Sequence, residues 1–112
     1  MKIENEYMER KLNIIFDNFI LTEAKVVRSN GITIEVRTKE NGHNIPHCHI
    51  ERGKEQQVSV SLVDFTIIAD SGNLNSKQKN AIIQLAKEHK EELRNKWEEN
   101  FGIQLLKDGK WE

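Results

Sequence analysis

The sequence predicts an α+β domain: an antiparallel sheet of three to four strands, with an N-terminal helix and a long C-terminal helix packed on one face. Near both ends of the chain, apolar residues recur at three- and four-residue spacing, which is typical of amphipathic helices. Between positions 32 and 69 they alternate with polar residues instead, which is typical of half-buried strands. Because turn residues rather than helices separate these alternating stretches, neighbouring strands are expected to pair antiparallel.

Composition narrows the class of protein. The 112 residues suffice for one domain with a modest core, and the formal net charge of −1 argues against broad electrostatic binding to nucleic acid or to anionic lipid. A single cysteine cannot form an internal disulfide, so we expect a reducing, cytoplasmic location. No apolar stretch is long enough to span a bilayer, and we expect no membrane partner.

The N-terminal helix is expected over residues 3–21. Its apolar stripe consists of Met8, Leu12, Ile15, Phe16 and Phe19. Packing on the chain's own core is the favoured interpretation of this stripe. The alternative is that the helix docks on a second copy, which gives a homo-oligomer.

Short strands are expected over residues 32–37, 47–52 and 57–62, and residues 65–69 form a fourth strand or continue the third. In the second strand the period of two places His47, His49 and Glu51 on one face. Cys48 and Ile50 then point to the other, core-facing side.

A helix follows, capped by Asn75 or Ser76 and continuing past His89 to Trp97. Its apolar stripe comprises Ile82, Leu85, Ala86, His89, Leu93 and Trp97. The tail from Gly102 to Glu112 adds a short strand through Ile103 and Leu105 or stays mobile.

Three of the four histidines lie within seven residues, at His43, His47 and His49. Imidazole is the commonest metal ligand in proteins and titrates near neutral pH, so this stretch is the candidate site. In one interpretation, His47 and His49 bind Zn²⁺ or a similar divalent transition metal, with His43, Glu51 or His89 completing the ligand set. A water bound to that metal would then carry out hydrolysis.

Two other interpretations need no metal. His47 and His49 can act as an acid–base pair that cleaves RNA, with Glu35 and Arg37 orienting a histidine or holding a phosphate. Alternatively, these residues form a binding surface for a partner protein and catalyse nothing. A purely structural role stays open as well, above all for His89, which lies on the apolar stripe of its helix.

Two motifs resemble a known bacterial family. The segment His43-Asn44-Ile45-Pro46-His47-Cys48-His49 follows the pattern His-x-x-Pro-His-x-His, and the helix carries His-x-x-Glu-Leu-x-x-x-Trp from His89 to Trp97. Together they resemble the family catalogued as domain of unknown function 4160, over roughly residues 31–98. The chain departs from the family pattern at Ile45, Cys48, Asn75 and Leu85, which leaves every motif histidine in place.

The resemblance implies a core at residues 31–98, an N-terminal helical extension at 1–28 and a tail at 102–112, all within a single domain over 1–112. It carries no established activity, although some members are encoded beside a second small protein in the manner of toxin–antitoxin pairs. We therefore expect a toxin–antitoxin-type or accessory binding module that contacts a partner protein or RNA. A metal-dependent hydrolase that uses His47 and His49 is the alternative, so the question of enzymatic activity stays open.

Overall fold

The protein is described by a computed structural model, which covers residues 2–17, 31–37, 45–102 and 111. Within these residues the elements are α1 (Glu6–Phe16), β1 (Ile32–Arg37), β2 (His47–Arg52), β3 (Gln56–Ser61), β4 (Ile67–Asp70), α2 (Ser76–Glu88) and α3 (Lys90–Phe101). An antiparallel sheet combined with helices at both ends of the chain confirms the predicted α+β class.

The four strands lie in the order β1-β2-β3-β4, and every neighbouring pair is antiparallel. In the register, Cys48 is paired with Val36 on one side and with Val60 on the other. Since paired residues share a face of the sheet, these three side chains form one apolar row. His47 and His49 belong to the opposite face, as the period of two predicts.

The core lies between the apolar face of the sheet and the three helices. Its largest fully buried apolar side chains include Trp97, Met8, Leu12, Ile15, Ile34, Ile50, Leu62, Ile82 and Leu93. Cys48 is fully buried in the same cluster. Burial raises the pKa of its thiol to about 12, so it behaves as a small apolar side chain.

Helix α1 packs on the core of its own chain, and polar contacts hold both of its ends. The Asn5 side chain accepts a hydrogen bond from the backbone of Met8, and its amide donates to Glu92 of α3. At the other end, the Gln78 amide donates to the Ile15 carbonyl oxygen at 2.9 Å. The apolar stripe of α1 is therefore used inside this chain. The helix ends at Phe16, and residues 18–21 of the predicted helix lie outside the described residues.

The predicted single long C-terminal helix is instead two consecutive helices that meet at His89. The His89 backbone N–H donates to the carbonyl oxygen of Ala86, three residues earlier, rather than to the residue four earlier. This tighter turn ends α2 before α3 begins. The Asn75 cap is confirmed, because its side chain and that of Gln78 form a reciprocal capping box.

One further sequence expectation, the tail strand through Ile103 and Leu105, falls outside the described residues. The division into extension, core and tail stays a prediction. Among the described residues, no helix combines the length and the apolarity needed to cross a membrane.

Candidate functional site

The candidate site is the polar face of the sheet, on the side away from the helices. His47 is paired with Ser61, and His49 with Ser59, across β2 and β3. The exposed fractions are 0% for His47, 7% for His49, 5% for Ser59 and 1% for Ser61. The histidines thus point away from the helices as predicted, but they are buried rather than presented to solvent. Buried polar groups are stable only when hydrogen-bonded, so their partners indicate what they do.

His47 holds the backbone of Ile45. Its Nδ1 lies 2.8 Å from the Ile45 carbonyl oxygen. A carbonyl oxygen can only accept a hydrogen bond, so Nδ1 carries the proton and donates it. This bond fixes the peptide that leads into β2.

Ser61, on the neighbouring strand, likewise holds nearby backbone through its side chain. Its Oγ accepts hydrogen bonds from the backbone N–H groups of Val63 at 3.1 Å and Asp64 at 3.4 Å. The cross-strand pair His47 and Ser61 therefore fixes the two segments that leave the same end of the β2–β3 pair.

Those two segments present apolar side chains to solvent. Ile45 is 44% exposed and Val63 is 39% exposed, and Tyr7 on α1 is the other large apolar side chain exposed among the described residues. The Leu62 N–H donates to the Pro46 carbonyl oxygen, which places the segment that carries Ile45 next to the turn that carries Val63. We call Ile45, Val63 and Asp64 the rim.

The turn after β3 is held in a strained conformation. Phe65 has a φ of 55°, a left-handed value that is rare for a bulky side chain. Arg94 of α3 stabilises the turn, because its guanidinium donates to the carbonyl oxygens of Leu62 at 2.9 Å and Val63 at 3.1 Å. The guanidinium also lies over the Phe65 ring, 5.2 Å from its centroid. Such strain persists only where the surrounding structure imposes it, and it often marks a functional segment.

The rim carries one negative charge. Asp64 is exposed and accepts hydrogen bonds from the hydroxyl and the backbone N–H of Thr66. The Thr66 hydroxyl bond is the main cause of a lowered pKa for the Asp64 carboxyl group. Asp64 is therefore ionised at neutral pH.

His49 lies between a hydroxyl and a carboxylate. Its Nδ1 is 3.2 Å from Ser59 Oγ, and its Nε2 is 3.4 Å from Glu51 Oε2. Glu51 is partly exposed. The three side chains Ser59, His49 and Glu51 therefore lead from a buried hydroxyl to the protein surface. Glu35 is the backbone partner of His49 on β1 and is half-buried.

Of the other predicted site residues, His89 lies elsewhere, while the side chains of Arg37 and His43 are outside the described part. Arg37 opposes His47 by backbone register, and its side chain is outside the described part, as is all of His43. His89 lies at the junction of α2 and α3, with its ring 5.7 Å from that of Tyr7 and its Nδ1 3.7 Å from Glu92. Because the helices cover the apolar face, His89 is on the opposite side of the sheet from His47 and His49.

The proposed metal ligands are not assembled within the described residues, where no three His, Cys, Asp or Glu side chains are placed to hold a metal ion. His43 was predicted as one of the ligands and is outside this part of the chain, so the metal site stays a prediction.

Sequence reasoning missed the contributions of Ser59, Ser61, Val63 and Arg94. The two serines carry a signal in the sequence, since they alternate with Val58, Val60 and Leu62 on the polar face. Pairing that strand with 47–52 would have placed them beside the histidines.

No match was found for this chain among curated proteins or among solved structures. The model of one protein family, described as a domain of unknown function (DUF4160), matches residues 31–98. The match includes all four strands, α2, both histidine motifs and the rim. The chain therefore belongs to the DUF4160 family.

Proposed function

We propose that this chain is a small protein-binding module, of the toxin–antitoxin or accessory type, that docks a partner protein through its rim. The observation that carries the proposal is the exposure of Ile45 and Val63 on two adjoining segments whose backbone is held by hydrogen bonds from His47 and to Ser61. These exposed apolar side chains offer a surface that an apolar residue of a partner can cover. Because the backbone of the rim is held in place, less conformational entropy is lost when a partner binds.

In this account the motif histidine His47 is a positioning residue. It is fully buried, so it does not reach a partner itself. Its role is to fix the Ile45 peptide, while Ser61 and Arg94 fix the turn that carries Val63.

The rim favours a protein over RNA as the partner. Its one charged member is the ionised Asp64, which repels phosphate. The matching surface on the partner is an apolar residue next to a lysine, an arginine or a backbone N–H that pairs with Asp64. The resemblance to family members encoded beside a second small protein is consistent with such a partner. The single, buried cysteine supports a cytoplasmic setting.

Affinity purification from the source cells tests this function. Tagged wild-type protein and an Ile45→Glu/Val63→Glu variant are compared by quantitative mass spectrometry. An Asn80→Glu/Gln84→Glu variant on the exposed surface of α2 is the matched control, because it also replaces two neutral residues with acidic ones. We expect one protein to co-purify with wild type and with the control, and to fall at least about tenfold with the rim variant, the loss that corresponds to about 1.4 kcal/mol. Equal recovery with all three proteins would contradict the function.

A further inference from the structure

We propose that Ser59, His49 and Glu51 form a nucleophilic site in which His49 is the general base for the Ser59 hydroxyl. The site accepts the acyl group of a compact activated ester. This inference does not depend on the partner-binding function, since it uses a different part of the polar face.

The two neighbours of the His49 ring favour one of its tautomers. Its Nε2 faces the Glu51 carboxylate at 3.4 Å, and a carboxylate can only accept. With the proton on Nε2, on the side of the carboxylate, Nδ1 presents its lone pair to Ser59 Oγ at 3.2 Å. This is the arrangement that a base needs in order to take a proton from a hydroxyl, with the carboxylate stabilising the charged ring that results.

The surroundings distinguish Ser59 from its neighbour Ser61. The Ser61 hydroxyl oxygen already accepts two backbone hydrogen bonds in the turn after β3. Ser59 Oγ instead faces an imidazole nitrogen, and both groups are largely buried, at 5% and 7% exposure. The limited exposure of Ser59 is why the substrate is restricted to a compact acyl group.

The reaction follows from these positions. Ser59 Oγ attacks the ester carbonyl carbon as its proton passes to His49 Nδ1. The carbon–oxygen bond to the leaving group then breaks, and the leaving oxygen takes that proton from His49. The product is an ester on Ser59, and water restores the serine by the same sequence of steps with His49 again as the base.

A thiol at position 59 tests two things together: whether a reagent reaches this position, and whether His49 acts as a base there. A Ser59→Cys variant is treated with iodoacetamide under native conditions, and the alkylated peptide is identified by mass spectrometry. The native Cys48 is a built-in control, because it is fully buried and burial raises its pKa to about 12. We expect alkylation at position 59 and not at Cys48, with a thiol pKa below the ordinary value of about 8.5.

Adding His49→Gln to that variant is expected to slow alkylation at pH 7 by at least about tenfold, because the thiolate loses its proton acceptor. Adding Glu51→Gln instead should slow alkylation at position 59 severalfold. Because Glu51 is partly exposed, this variant replaces the His49 variant if His49→Gln disturbs folding. The proposal is overturned if the introduced thiol resists alkylation as Cys48 does, or if neither change alters its rate or pKa.

The wild-type protein gives the second readout. After incubation with p-nitrophenyl acetate, we expect one acetyl group on Ser59, absent from a Ser59→Ala variant whose circular dichroism is unchanged. Acetylation confined to lysines, or equal acetylation of the two proteins, would overturn the nucleophilic role.

Discussion

Replacing His47 with alanine should lower the free energy of unfolding by about 2–4 kcal/mol. The imidazole is fully buried and donates to the Ile45 carbonyl oxygen, a bond with a net value of about 1 kcal/mol. Truncation also leaves a cavity, and deleting a large buried side chain costs about 2–5 kcal/mol, with a polar ring toward the lower end. A domain of this length has about 6–17 kcal/mol of stability, so the variant should still fold.

Thermal unfolding followed by circular dichroism measures this cost. With an unfolding entropy of about 2.1 cal/mol/K per residue, the melting temperature should fall by about 9–17 °C. A His47→Asn variant is the matched control, because its side-chain amide can donate to the same carbonyl oxygen and should recover part of the loss. The reasoning is refuted if His47→Ala melts within about 2 °C of wild type, or if His47→Asn melts no higher than His47→Ala.

Four further predictions address the remaining elements. Leu12→Ala should cost about 2–5 kcal/mol in urea unfolding, since the side chain is fully buried; a cost below about 1 kcal/mol would contradict the packing of α1 on this core. Arg94→Ala should cost about 2–3 kcal/mol in the same assay, and Arg94→Lys should recover less than half, because an ammonium group cannot donate to two carbonyl oxygens in the same fork geometry. The lowered pKa of Asp64 means that its stabilising effect is complete above the pKa of the unfolded chain and is lost as the pH falls through the folded value. The melting temperature of Asp64→Asn should therefore depend less on pH than that of wild type between pH 6 and about 3, and parallel curves would argue against the Thr66 bond. Cys48 should react with a thiol reagent at pH 8 only as fast as the protein unfolds, and immediate reaction in the native state would contradict its burial.

The sheet could be predicted closely because each strand is identified by the alternation of residues that are neighbours in the sequence. Alternation over 32–37 and 47–52 identified β1 and β2 with their observed bounds. The same period placed Cys48 in the core and both strand histidines on the other face. The period of a strand gives the face of each side chain, however, and not its exposure, so the burial of His47 and His49 was not expected.

The rim and the helix break depend on contacts between distant parts of the chain. In the sequence Ile45 stood out only as a departure from the family pattern, and its position next to the turn that carries Val63 follows from the pairing of β2 with β3. The support from Arg94 requires α3 to reach the turn 31 or 32 residues earlier in the chain. At His89, the apolar stripe continues at helical spacing through the junction, so periodicity gave no sign that α2 ends there.

The central claim is that the rim, fixed by the buried pair His47 and Ser61, is the surface that a partner protein covers. Site-specific photocrosslinking in the source cells tests it most directly, with a benzophenone amino acid placed at Val63 in one variant and at Gln84 on α2 in the other. The account predicts one covalent adduct with a single protein from position 63, none from position 84, and loss of that adduct when His47→Ala is added. The same adducts from both positions, or no protein adduct from position 63, would contradict it.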